Sequence, residues 1–225
     1  MTSCCKIVVL ASGSGSNFEA LCDGLADGRI RDAAIIRLVV NRAAAGATAR
    51  ADRRGVPWEY FNLVSHGFQA KGERDPVRVR QARDQYDAAL AARLLALSER
   101  PDLVVLAGWM YVFGPRFLEP LAEAGVKVIN LHPALPGRYD GAQAIERAYQ
   151  DFRAGRLERN TTGVMVHYVI QEVDRGEAIV TREVECKPDD NLERLKARMH
   201  AVEHELIVEA TGRVVAELAS RRRGP

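Results

Sequence analysis

Short, β-branched apolar runs separated by longer amphipathic stretches fill the first two thirds of the chain, and no other feature restricts the fold so tightly. Ile7-Val8-Val9-Leu10, Leu38-Val39-Val40 and Leu103-Val104-Val105-Leu106 show no polar alternation. Both faces of each must therefore be covered, as in parallel strands sandwiched between helices. The pattern predicts strands over 6–11, 35–41, 58–62, 102–107 and 127–131, alternating with helices over 17–26, 44–54, 76–98, 115–124 and 142–153. The expected fold is α/β and Rossmann-like, a mostly parallel sheet with helices on both faces. Gly55 ahead of Val56-Pro57 and Arg100 ahead of Pro101 mark helix ends.

Beyond residue 160 the pattern changes. Val164, Val166, Tyr168 and Ile170 alternate with Met165, His167 and Val169, Asp174-Arg175-Gly176 spells a turn, and 178–185 reads as a returning strand. This predicts a hairpin that extends the sheet. Leu192, Leu195, Met199, Val202, Leu206 and Ile207 then recur at three- and four-residue spacing, which predicts a long closing helix from Asn191. Residues 1–220 have the length of one large α/β domain or two small ones, and 221–225 read as a frayed basic tail, with a targeting role for its three arginines the second reading. The polar insertion at 65–75 is either a mobile loop on the functional rim or a plain excursion.

Charge and cysteines narrow the function classes. Lys+Arg 32 against Asp+Glu 30 leaves a formal net charge of +2, too little for bulk binding of nucleic acid, so any phosphate must be held locally. Cys4, Cys5, Cys22 and Cys186 form no C-x-x-C pair, and no run approaches the length of a membrane span. The expectation is a soluble cytoplasmic protein with reduced thiols, small-molecule substrates and no membrane partner; oligomeric state is left open.

Three groups of residues could carry chemistry. Ser12-Gly13-Ser14-Gly15-Ser16-Asn17 follows the first strand and opens a helix. Glycines let a phosphate approach the backbone, and the free N–H groups of the first helical turn point at it. A plain tight turn with an N-cap is the alternative. Phe18 stands where a dinucleotide fingerprint needs its third glycine, and Gly-Lys-Ser/Thr is absent, so a single phosphate monoester fits best. Next, Asn130 and His132 lie at the carboxyl end of a buried strand, where two-residue periodicity turns them the same way. An amide donor and an imidazole suit a reaction that builds negative charge on a carbonyl oxygen, although a histidine at a strand end is as often structural. Last, Asp174 in the 172–177 turn could hold an imidazolium at His132 and accept an amine proton through water, but spacing alone leaves it one acidic turn residue among many. His200-Ala201-Val202-Glu203-His204 spells an inverted zinc-protease signature, yet only 21 residues follow for a third ligand. No metal is expected; a plain helix face, or Glu203 reaching sugar hydroxyls, is the better reading.

Taken together, Ser-Gly-Ser-Gly-Ser-Asn, Leu-Ala-Gly-Trp-Met (106–110), Asn-Leu-His-Pro-Ala-Leu-Pro-Gly (130–137), Gly-Val-Met-Val-His-Tyr-Val (163–169), Glu-Val-Asp-Arg-Gly-Glu (172–177) and Glu203-His204 resemble the glycinamide ribonucleotide transformylase family. The motifs cover essentially the whole chain in the family's order, and Leu-His-Pro-Ala-Leu-Pro-Gly with Asp140-Gly141 looks closer to its fungal-type branch. The resemblance implies a single formyltransferase-fold domain that moves a formyl group from 10-formyltetrahydrofolate, a co-substrate, to the amine of a ribonucleotide in purine synthesis. It implies Asn130, His132 and Asp174 as catalytic residues. Gly13, Gly15, Ser16 and Asn17 would hold the phosphate, and Glu203 the ribose or glycinamide end. Arg83, Met110, Tyr111 and Val112 would meet the folate, with His167 supporting the site from beneath. Tyr111 stands where many members have arginine, and Arg78 and Arg80 compete for the role of Arg83. The mechanism it implies has a protonated His132, its pKa raised by Asp174. Hydrolysis of formyl-folate is the nearest alternative, and the phosphate loop speaks against it. Transfer to an aminoacyl-tRNA would call for an RNA-binding domain that the remaining length does not supply. A non-catalytic nucleotide sensor is a reading of a different class, opposed by the intact trio.

Overall fold

The computed structural model describes residues 4–223. Seven strands form one sheet in the order β3-β2-β1-β4-β5-β6-β7. The first five are β1 (Cys5–Ala11), β2 (Ala33–Val40), β3 (Trp58–Tyr60), β4 (Leu103–Leu106) and β5 (Lys127–His132), and their pairings are all parallel. Between them run α1 (Ser16–Ala26), α2 (Ala47–Arg54), α3 (Pro76–Leu95) and α4 (Pro115–Glu123). After α5 (Ala144–Arg153), β6 (Thr161–Tyr168) adds antiparallel to β5 and β7 (Ala178–Glu185) antiparallel to β6, and α6 (Leu192–Arg223) closes the fold. The Rossmann-like expectation, the strand extension and the closing helix are all met.

The apolar runs are buried on both faces, as their composition requires. In β1, Ile7, Val9 and Ala11 pack into the core under α1 and α6, while Val8 and Leu10 join Leu90, Phe117 and Leu121 under α3 and α4. α6 contributes Leu195, Met199, Leu206, Ile207 and Val214 to the first of these cores. Among the described residues no helix is long and apolar enough to cross a membrane.

Several expected boundaries move. α2 begins at Ala47 rather than 44, because the Ala47 N–H turns toward the Gly13 carbonyl at 3.3 Å. α5 begins at Ala144 because Gln143 is left-handed, φ 58°. α3 stops at Leu95, and β3 spans three residues, with the next N–H, of Phe61, still bonded to the Val40 carbonyl at 2.9 Å while its ring packs into the core. The tail expected to fray from 221 is instead helical through Arg223. Arg221 pairs with Glu217 at 2.6 Å and Arg222 with Asp102, cations suited to a helix C-terminus. Residues 224–225 lie outside the described residues. The 65–75 insertion is a run of turns, and Phe68 pins it edge-on against Phe61 and Tyr86, ring centroids 5.7 Å apart in each case.

Candidate active site

The carboxyl ends of the parallel strands open on one cleft of about 420 Å³, the position where open α/β sheets bind ligands. Asn17, the 108–113 segment, Asn130, His132, Asp174 and Glu203 all line it. Three of these regions converge because β1, β4 and β5 end side by side, while Asp174 comes from the β6–β7 connection and Glu203 from α6.

Asn130 and His132 project from the same face of β5, away from Leu131, as strand periodicity dictates. β6 pairs antiparallel with Asn130 opposite His167, and the connection to β7 then folds Asp174 back over both. The Asp174 carboxylate is the hub. Oδ1 lies 3.3 Å from Asn130 Nδ2 and 3.5 Å from His167 Nε2, while Oδ2 lies 3.4 Å from His132 Nδ1 and accepts the Gly141 N–H at 2.8 Å. His167 Nδ1 sits 2.9 Å from the Tyr168 carbonyl. That oxygen can only accept, so Nδ1 carries a proton and Nε2 faces Asn130 Nδ2 at 3.2 Å.

Electrostatics corrects one expectation. Burial, at 4% exposure, lowers the His132 pKa from 6.5 more than the Asp174 charge raises it, and His167 adds to the lowering. His132 is thus neutral at pH 7, rather than the standing imidazolium expected. Burial also opposes ionisation of Asp174, but His167, the Gly141 N–H and His132 together hold its pKa below 3.8. With Nδ1 turned to a carboxylate, the buried His132 Nε2 has no partner among the described residues.

The 12–17 segment has the expected strand–loop–helix form. Gly15 is left-handed, φ 79°, and a Cβ there would lie 2.5 Å from Ala47 Cα, so only glycine fits. No side chain caps α1, which leaves the N–H groups of its first turn open to an anion. Asn17 alone of this loop lines the cleft. Ser16 borders a neighbouring recess with Arg50 and His204, and Gly13 is exposed. Asn17 Nδ2 meets Glu203 Oε2 at 3.4 Å, and burial raises the Glu203 pKa against the opposing pull of His200 and Asn17. His200 shares the cleft with Glu203 while His204 lies at the recess, so the two histidines of the zinc-like spelling face different cavities.

Met110 and Val112 stand 56% exposed at the cleft mouth. Behind them, Arg83 stacks its guanidinium over Tyr111 at 4.1 Å and donates to the Val112 carbonyl at 3.2 Å. Arg78 turns away to Glu73, so Arg83 is the arginine that α3 brings to this segment. Asp87, one turn on, accepts the Gly114 N–H at 2.7 Å; burial pushes its pKa up to about 6. Sequence reasoning missed Gly141 and Trp109. Asp140-Gly141 entered only as a spelling of the family's fungal-type branch, and nothing local shows the Gly141 N–H reaching a residue 33 positions away.

The chain matches the family described as formyl transferase over residues 5–211. It is 39% identical over 213 residues to a protein of Schizosaccharomyces pombe, covering 94% of this chain and 98% of the relative. It is likewise 39% identical over 216 residues to one of Saccharomyces cerevisiae, covering 95% and 98%. Both are named phosphoribosylglycinamide formyltransferase. The solved glycinamide ribonucleotide transformylase 1 of Symbiobacterium toebii superposes with a TM-score of 0.77 at 29% identity, covering 96% of this chain and 90% of that one. The chain belongs to the formyl transferase family and, within it, to the phosphoribosylglycinamide formyltransferases.

Proposed function

We propose that this protein transfers the formyl group of 10-formyltetrahydrofolate to the amine of 5-phosphoribosylglycinamide, a step of purine biosynthesis that leads to IMP. The observation that carries the reading is the Asp174-centred cluster of Asn130, His132 and His167 beside an uncapped, glycine-led helix start. The loop glycines Gly13 and Gly15 and the free first turn at Ser16 and Asn17 hold the phosphate, and Glu203 meets the ribose or glycinamide. Met110, Tyr111 and Val112 wall an apolar slot for the flat pterin ring, with Arg83 bracing that wall and lending it positive charge. The four cysteines are free thiols, consistent with a cytoplasmic enzyme.

The chemistry is a direct exchange of C–N bonds. The amine nitrogen bonds to the formyl carbon, which becomes tetrahedral, and negative charge develops on the formyl oxygen. The Asn130 amide turns one of its two N–H groups from its 3.3 Å contact with Asp174 and donates it to that oxygen. Neutral His132 takes the amine proton at Nε2, and the Asp174 carboxylate stabilises the imidazolium so formed. The bond from formyl carbon to N10 then breaks, and the proton ends on N10.

The sign of the pH dependence follows. The working ring is the unprotonated one, so kcat is lost as pH falls through a pKa below 6.5 and is level at neutral pH. Asp174 stays ionised throughout that range. A kcat that falls as pH rises from about 5 to 7 would show that the imidazolium is the working form. The function itself is tested by following tetrahydrofolate formation with both substrates. Formation that requires the ribonucleotide supports the reading, formate release without it indicates a hydrolase, and no product indicates a sensor.

A further inference from the structure

Asp174 is one of the few non-glycine residues with left-handed backbone, φ 55°, a conformation that persists only where its surroundings impose it. Its carboxylate nevertheless has to meet four partners at once, Asn130, His132, His167 and the Gly141 N–H. The neighbouring side chain shows what imposes the geometry. Arg175 reaches across the cleft edge to Asp140, its Nε 2.9 Å and its Nη2 2.6 Å from Asp140 Oδ2. Asp140 is itself tied to α5, its carbonyl accepting from Arg147 Nη1 at 2.8 Å. The next residue, Gly141, donates its N–H to Asp174. Two adjacent residues of one loop therefore grip two adjacent residues of the other, in register.

We propose that Arg175 and Asp140 are positioning residues, a clasp between the 133–143 and 172–177 segments that seats the Gly141 N–H on the Asp174 carboxylate. The clasp touches neither substrate; it acts through Asp174. It rests on the formyl-transfer reading only for its effect on rate. An ion pair this exposed, at 53% and 32%, contributes little to global stability, and that separates positioning from folding. Arg175→Ala and Asp140→Asn keep the wild-type melting temperature but lose about tenfold in kcat, since small misplacements of a reacting group are costly. The KM for the ribonucleotide stays within about twofold.

A readout independent of activity is the titration of the Asp174 carboxyl carbon by NMR, assigned with Asp174→Asn. In Arg175→Ala its midpoint moves up, because the carboxylate loses a donor, and the exchanged pair Asp140→Arg/Arg175→Asp brings it part of the way back. An unmoved Asp174 midpoint in both single variants overturns the clasp whatever the enzyme does. If the wild-type protein forms no tetrahydrofolate, the functional reading fails while the titration still decides the clasp. Should a single variant lose its fold, Arg175→Lys, which keeps the charge but not the two-nitrogen grip, takes its place in the same titration.

Discussion

Replacing His132 with alanine lowers kcat by about 10³, and Asn130→Ala by about 10²–10³, while the KM for the ribonucleotide changes little. The phosphate loop and Glu203 lie on β1–α1 and α6, whereas both substituted side chains leave β5. Ground-state binding of the ribonucleotide therefore survives their loss. What disappears is stabilisation made only as the formyl oxygen gains charge and the amine sheds its proton. The pair acts on one transition state, so the double variant is expected to fall well short of the product of the single losses. The two replacements also differ in kind. Asn130→Ala removes a donor but leaves Asp174 its other contacts at His167, His132 and Gly141. His132→Ala removes the group with a free nitrogen, so its acid limb vanishes from the pH profile along with the rate. Near wild-type formyl transfer by His132→Ala would remove the residue from the mechanism.

The legible part of this protein is the part written in short periods. Uninterrupted Ile-Val-Val-Leu announces a two-faced buried strand, and that alone places Gly13–Asn17 and Asn130–His132 at strand ends on one side of the sheet. Asp174 follows no period. It is delivered by the antiparallel register of β6 on β5, Asn130 opposite His167, and by a connection whose path depends on Gly141 and Asp140. Only the family resemblance singled it out. The protonation state of His132 was out of reach for a related reason. Asp174, Asp140 and a backbone contact at Arg138 raise its pKa, and what outweighs them is burial by residues from several distant segments, which has no local spelling. The alanine-rich stretch at 43–47 misled in the other direction. Its helix propensity is real, but Gly15 packs so closely on Ala47 that the loop and the helix start share one geometry.

Gly176→Ala is expected to damage stability and rate together, the former by about 3 kcal/mol, toward the upper end for overpacking, and kcat by about 10². A Cβ at this position would lie 1.7 Å from the Tyr168 carbonyl oxygen and 2.8 Å from its carbon. These are backbone atoms of β6, and no side-chain rotation relieves the overlap. The chain must part where Tyr168 N–H bonds to the Glu177 carbonyl at 3.0 Å. The same Tyr168 oxygen accepts from His167 Nδ1, so moving it frees the ring whose far nitrogen faces Asn130 and Asp174. The turn that holds Asp174 in its left-handed conformation widens at the same time. Denaturant unfolding and kcat, measured on the same preparation, test the two losses separately. Wild-type stability would show that the 168–177 connection can yield without cost; wild-type kcat alone would show that Asp174 and His167 keep their places when it yields. Because the glycine makes no polar side-chain contact of its own, either loss would trace to backbone separation. The close approach of this connection to the end of β6 thus becomes a requirement of the chemistry as well as of the fold.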